Sequence, residues 1–409
     1  MRSKPWSFAL VQAFLVVGLI LVLVPNACAK PKFKVLQRIA GGLSGGLVFD
    51  TQRNLYGATC AGGVGANGTI FKLSRSKNWA QTTLHVFDGS DGYCPNGGLI
   101  FDPTGNLYGT APGGGAHNEG SAFELQPGSS GWSFSDFYDF CRNYPYNCDD
   151  GEDPIAGFVM DGAGNLYDSA GGGTCHGYGV AFEFIPGSGA WNEDILFDWG
   201  CRNYDTTRSL APLIFDKDGN LYGTGADGRY RSGAVFELTH TPSAWKERLL
   251  YQFCPGGFPC LDGAAPTAGV VLRGSGVLYG TTAGGGANSC GEAQCGTVFK
   301  LARDRSGRWK EAVLYSFQGG RKGNTPSGPV VFGRKGSMYG TTAQGGSPKC
   351  GGGCGVVYRL IPHSIGGWKY EVLHSFTGTD GGFPTGGVVL DEAGNLYGTA
   401  YSVVFEITP

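Results

Sequence analysis

The chain is poor in the residues that enzymes and nucleic-acid binders rely on. Charged residues are 16% of its 409 positions, with Lys and Arg totalling 31 against 33 Asp and Glu. No basic face therefore recommends a nucleic acid as partner. Beyond the N-terminus no stretch repeats its apolar residues at the period of a helix. That removes helix bundles, and with them the strand-to-helix loops that cradle phosphates and dinucleotides. Histidine occurs six times, and none of the six recurs with a Ser or Cys in a triad-like setting. Cys-x-x-Cys is absent and His176 alone stands beside a cysteine, which argues against zinc.

What the chain has in excess is glycine, 74 residues, set between short runs rich in Val, Phe, Leu and Tyr. In that company it reads as the turn glycine of an all-β protein. Gly-Asn-Leu-Tyr-Gly-Thr stands at 105–110, 219–224 and 394–399, and looser copies surround four more tyrosines. The repeats centre on Tyr56, Tyr108, Tyr167, Tyr222, Tyr279, Tyr339 and Tyr397, which are 52 to 60 residues apart. Such a period means a solenoid or a propeller. Solenoid coils are shorter, about 20 to 30 residues, so a unit holding four apolar runs fits a propeller blade.

The four runs, strands A to D, are clearest in the fifth unit at 269–272, 277–282, 296–301 and 309–317. Asp50, Asp102, Asp161, Asp216 and Asp391 end strand A. Asn54, Asn106, Asn165, Asn220 and Asn395 open strand B four residues later. That spacing predicts a hairpin turn whose Asp accepts from the turn's amides. Strand D opens near Trp79, Trp132, Trp191, Trp245, Trp309 and Trp368. The seventh D strand is the first run of the chain, 32–38, with Pro31 in the Trp position. The predicted fold is an all-β, seven-bladed β-propeller of four-stranded blades over 30–409, closed by the N-terminal strand completing the last blade. Without that clasp two sheet edges would stay open.

Residues 1–29 read as a signal peptide: Arg2 and Lys4, an apolar run over 8–24, and a cleavage site ending at Ala29. The mature chain has no further span. It is expected to be a monomer outside the cytoplasm, whether secreted, periplasmic or at the cell surface.

The pattern Asp-Gly-x-x-Pro, a strand ending in Asp, Gly-Asn-Leu-Tyr-Gly-Thr, a Gly-Gly loop and Gly-Thr-Val-Phe-x-Leu resembles the GloVer (Gloeo_Verruco) tandem repeat family. It stands here at Asp380, Gly381 and Pro384, at Asp391, at 394–399, at Gly284 and Gly285, and at 296–301. The resemblance implies an exported protein and no established activity. Strands A and B are also similar to those of NHL-type propellers, which implies that strand A is innermost.

Without Cys28 the chain keeps twelve cysteines, and an even count in an exported protein reads as disulfides. Local pairs are Cys141–Cys148, Cys254–Cys260, Cys290–Cys295 and Cys350–Cys354, and the remainder pair as Cys60–Cys94 and Cys175–Cys201. All twelve fall in B-to-C or D-to-A connections, so one face of the ring should carry them. The Asp-Gly-x-x-Pro motifs at Asp91, Asp150, Asp262 and Asp380 read as capped turns before strand A, or as a ring of carboxylates for Ca2+ or acid–base work. No other cofactor or metal is expected.

The most individual feature is a twin Cys-Arg-Asn-Tyr at 141–144 and 201–204. Arg142, Tyr144, Asp150, Glu152, Arg202, Tyr204, Arg208, Arg229 and Tyr230 form a candidate ligand site on the cysteine-bearing face. Arg and Tyr together suit acidic or sugar ligands, and solvated loops are the plainer account. Three functions fit: a non-catalytic module binding an extracellular glycan or protein, a hydrolase or lyase acting on polysaccharide through Asp150, Glu152 or Arg202 at the central mouth, or a surface structural repeat. No catalytic residue stands out.

Overall fold

The computed structural model describes residues 30–409 except 97, 145–147, 174–177, 200–208, 210, 226–231, 275, 291–292 and 364–365. The leader expected over 1–29 lies outside the described residues. Seven blades of four-stranded antiparallel sheet, the sixth with one extra short strand at Asn324–Pro326, form a ring, a β-propeller almost without helix. In blade 2 the strands A to D are Ile100–Phe101, Leu107–Ala111, Ser121–Gly128 and Gly131–Asp139, paired in that order. Among the described residues no helix is long and apolar enough to cross a membrane.

Blades pack face to face, so strand B is buried along its whole length in blades 1 to 4 and 7. Each of the seven apolar clusters bridges two blades. Tyr56, Ile70 and Phe87 of blade 1, for example, meet Leu107, Phe123 and Leu125 of blade 2. The repeat's tyrosine is the mortar of these joints. The Tyr56 ring meets Phe101 edge-on at 4.9 Å and Trp132 at 5.8 Å, both in the next blade. Tyr108 meets Trp191 at 5.8 Å, and Tyr397 meets Trp79 at 5.7 Å. The Trp before strand D therefore recurs because it covers the preceding blade's tyrosine.

The A-to-B turn forms as its spacing predicts. Asp216 Oδ1 accepts the backbone N–H groups of Asp218 and Asn220 at 2.8 and 2.9 Å. Its Oδ2 accepts from Asn220 Nδ2 at 2.9 Å and lies 3.0 Å from the Tyr222 hydroxyl. Burial alone would raise this carboxyl, but the bonds from Asn220 outweigh it and hold Asp216 below the usual carboxylate range. Among the described residues no three His, Cys, Asp or Glu side chains converge as metal ligands.

The glycine after the tyrosine is required by sterics. A Cβ at Gly109 would lie 2.6 Å from the Phe123 ring, and one at Gly223 2.4 Å from the Phe236 ring. Blade 3 alone breaks this rule, with Asp168 opposite Phe182. The Asp168 carboxylate is fully buried and accepts backbone N–H bonds from Gly157 at 3.1 Å and Ser169 at 2.7 Å. Burial pushes it up to about 7 despite those bonds.

The ring closes as a shared sheet. Lys32–Arg38 runs antiparallel to Val403–Thr408, with Phe33 opposite Ile407 and Arg38 opposite Val403. A β-bulge interrupts every C–D pairing, skipping Leu84, Phe137, Leu196, Leu250, Leu314 and Leu373. Leu36 occupies the same place in the N-terminal strand. That strand is thus a true D strand, bulge included, and not a loose edge addition.

Candidate functional site

One end of the ring collects the features that suggest function. Among the described residues five disulfides are present: Cys60–Cys94, Cys141–Cys148, Cys254–Cys260, Cys290–Cys295 and Cys350–Cys354. All ten cysteines sit in B-to-C or D-to-A connections, which leave an up-and-down blade at the same end. Cys175 and Cys201 lie outside the described residues. The remaining staples tie down long, glycine-rich connections with little apolar surface of their own.

At the same end a cavity of about 330 Å³ lies on the ring axis. Every blade contributes to it where its chain arrives at strand A, through Gly46, Gly98, Ala156, Pro212, Ala268, Pro329 and Gly387. Strand A is thus innermost. Among the described residues the polar lining consists of peptide groups with Asn96, Thr267, Ser327 and Thr385, and none of those lining residues is titratable. Hydrogen bonding is the chemistry such a wall offers.

The candidate ligand residues distribute differently from the sequence expectation. Asp150 is not among the described residues that line the axial cavity. Its motif begins at the outer strand and runs inward, so Ile155 and Ala156 line the cavity instead. Asp150 Oδ2 accepts the backbone N–H of Arg142 at 3.0 Å and lies 3.0 Å from the Tyr138 hydroxyl. The same hydroxyl contacts Glu193 of strand D in blade 3. The Arg142 guanidinium covers the Tyr138 ring at 4.0 Å. Tyr144 is exposed and stacks near His117 at 6.3 Å. Glu152 bridges Gly171 through its backbone. Arg202, Tyr204, Arg208, Arg229 and Tyr230 lie outside the described residues.

Burial pushes the Glu193 carboxyl up to about 8, against the Tyr138 bond that favours its charged form, and the Asp150 charge adds to the rise. One hydroxyl proton cannot serve two carboxylates. With Glu193 protonated, its acid donates to Tyr138 Oη while the Tyr138 hydroxyl donates to Asp150.

This trio is one example of a station that sequence reasoning missed. A strand D side chain meets the Asp of Asp-Gly-x-x-Pro and faces the next blade's outer strand. His85 Nε2–H donates to Asp91 at 2.7 Å and its ring stacks on Phe134 at 3.5 Å. His374 Nε2–H donates to Asp380 at 3.0 Å and stacks on Phe33 at 3.6 Å. Tyr251 donates to Asp262 at 2.8 Å, close to Glu311, whose carboxyl is raised to about 7 by burial and by the Asp262 charge. The available signal was His-x-Phe-x-Gly-x-Asp-Gly, present at both 85–92 and 374–381.

Residues 31–143 and 257–409 match the Gloeobacter/Verrucomicrobia repeat. The chain belongs to that repeat family. The unmatched middle of this Gloeobacter/Verrucomicrobia repeat protein, 144–256, is where Asp168 breaks the glycine rule. No curated protein matches the chain. Among solved structures it is similar to the extracellular domain of a putative one-component system from B. thetaiotaomicron, with 12% identity and a TM-score of 0.56. That match covers 91% of this chain and 39% of the other, so the repeat protein spans about two fifths of that structure's length. A putative oxidoreductase (glucose dehydrogenase) from Thermus thermophilus shares 13% identity at a TM-score of 0.42, covering 92% of this chain and 100% of the other. A putative 6-phosphogluconolactonase from Bacteroides uniformis shares 11% at 0.47, covering 88% and 89%. At its identity the first of these likenesses speaks for the fold alone.

Proposed function

We propose that this repeat protein is exported and acts as a non-catalytic binding module, taking a neutral ligand such as a glycan chain end at the disulfide-bearing end of the ring. The observation that carries the reading is the axial cavity, to which all seven blades contribute and whose described lining residues include no titratable side chain. Its size falls at the lower edge of small-ligand sites, about 300 to 1,000 Å³. Peptide groups and the side chains of Asn96, Thr267, Ser327 and Thr385 match a ligand rich in hydroxyls. Arg142, Tyr144 and His117 provide an outer rim that longer ligands can touch. Export is supported by the disulfides, which persist in oxidising compartments, and by the leader-like residues 1–29.

The test is a titration of a glycan and peptide panel by calorimetry, with the double variant Asn96→Trp and Thr385→Trp as a plug. Both positions are exposed, so the plug should leave the melting temperature unchanged. Loss of binding in the plugged protein is the expected result. A ligand held equally well by plugged and parent protein would sink the reading.

A further inference from the structure

At the opposite end of the ring, where the A-to-B and C-to-D turns lie, a second cavity of about 420 Å³ opens between blades 1 and 2. Its walls are aromatic: Tyr56, with Phe101 and Trp132 set edge-on against it at 4.9 and 5.8 Å. Phe101 and Trp132 are only half-buried, so part of each ring is open. Its rim is polar, with Gln52 and Thr104 exposed on the two turns and Lys72 at the base.

Lys72 stands opposite Tyr56, as Lys300 and Arg359 stand opposite the tyrosines of blades 5 and 6, whereas Glu124, Glu183, Glu237 and Glu406 stand opposite those of blades 2, 3, 4 and 7. In those blades the glutamate contacts the tyrosine hydroxyl. In blade 1 the hydroxyl donates to Asp50 at 3.0 Å. Lys72 Nζ lies 3.6 Å from Asp50 and 5.1 Å from the Tyr56 ring centre, and its side chain is 22% exposed. An ammonium has three N–H donors, and one ion pair leaves some of them for a ligand. The turn aspartates are not free in the same way. Asp50 and Asp102 already accept from their own turns. The groove therefore offers a cationic donor at its base beside the part-exposed rings of Phe101 and Trp132. That combination receives the C–H face of a sugar ring while bonding its hydroxyl oxygens.

We propose that the groove between blades 1 and 2 is a second binding site, for a pyranose unit of a neutral glycan. The site is independent of the axial cavity. Its occupancy should be read by tryptophan fluorescence and calorimetry on the whole chain with cellohexaose, xylohexaose, mannohexaose and chitohexaose. At least one of the four is expected to bind. Lys72→Met should weaken that binding about tenfold, the loss expected for a charged hydrogen bond. Trp132→Phe, which keeps an aromatic packed on Tyr56, should weaken it and abolish the fluorescence change. The axial plug of Asn96→Trp with Thr385→Trp should leave it intact. Failure of all four sugars to bind, or equal affinity in Lys72→Met and parent, would overturn the proposal. Binding that the axial plug abolishes and Lys72→Met spares would overturn it too, while supporting the axial site.

Discussion

The outer-strand joint between blades 6 and 7 is built from His374, Asp380 and Phe33, whereas the joint between blades 2 and 3 uses Tyr138, Asp150 and Glu193. Both occupy the same station, yet they respond to protons in opposite directions. Burial lowers His374 more than the Asp380 charge raises it, so the folded state favours the neutral ring. Its contribution to stability is present above the ordinary value of 6.5 and is lost as pH falls through the folded value. Glu193 is the reverse. Its folded value of about 8 exceeds the ordinary 4.5, so its contribution is complete below about 4.5 and is lost as pH rises to about 8. One scaffold position can thus carry an acid-sensitive joint, through His374 on strand D, or an alkali-sensitive one, through Glu193 on the facing strand.

The comparison is broken most severely by removing the clasp. Deleting residues 31–38 takes away Phe33 and leaves Val403–Thr408 as an open edge; loss of cooperative thermal unfolding is the expected outcome. Phe33→Ala is gentler. It removes the stack on His374 and contacts to Phe376 and Phe405, and should cost about 3 kcal/mol in urea denaturation. The sign of each joint is sharpened by two substitutions. Glu193→Gln should match the parent near pH 5 and melt about 3 °C higher at pH 9, measured by calorimetry. Only part of the alkaline loss should vanish, because Asp168 and Glu311 are raised as well. His374→Gln should flatten the melting-temperature decline between pH 7 and 5; an unchanged slope would show that His374 is not the acid-sensitive group. Opening Cys290–Cys295 is the smallest change, about 2 kcal/mol, against about 4 for Cys60–Cys94, because the closed loops differ in length. Neither should alter the pH slopes.

Architecture was legible because its determinants are local. Asp at the end of strand A and Asn four residues on make one turn, and that turn sets the period. The Trp before strand D could be counted, and its absence at Pro31 pointed to the shared last blade. Contacts between blades were not legible in the same way. Tyr138 and Glu193 lie 55 residues apart, one repeat period, and only an alignment of one unit on the next would pair them. The distance from the strand D residue to its Asp also varies, six residues for His85 and twelve for Tyr138, because the disulfide loop of blade 2 intervenes. Asp150 was expected near the central mouth because its motif directly precedes strand A, while its carboxylate sits beside the outer strand residue Tyr138. Lys72 was passed over because the sign of the strand C charge varies between blades, Lys72, Lys300 and Arg359 against four glutamates, and carries no meaning until its tyrosine partner is seen.

The strand that finishes the ring is the first part of it to be synthesised. Lys32 pairs with Thr408, 376 positions later, so the N-terminal segment stays without its neighbour until the last residues emerge. Closure then joins the most distant parts of the chain, a slow class of step. Blade 7 should accordingly be the last to assemble, and factors that shield a nascent edge during production would act on Lys32–Arg38 first.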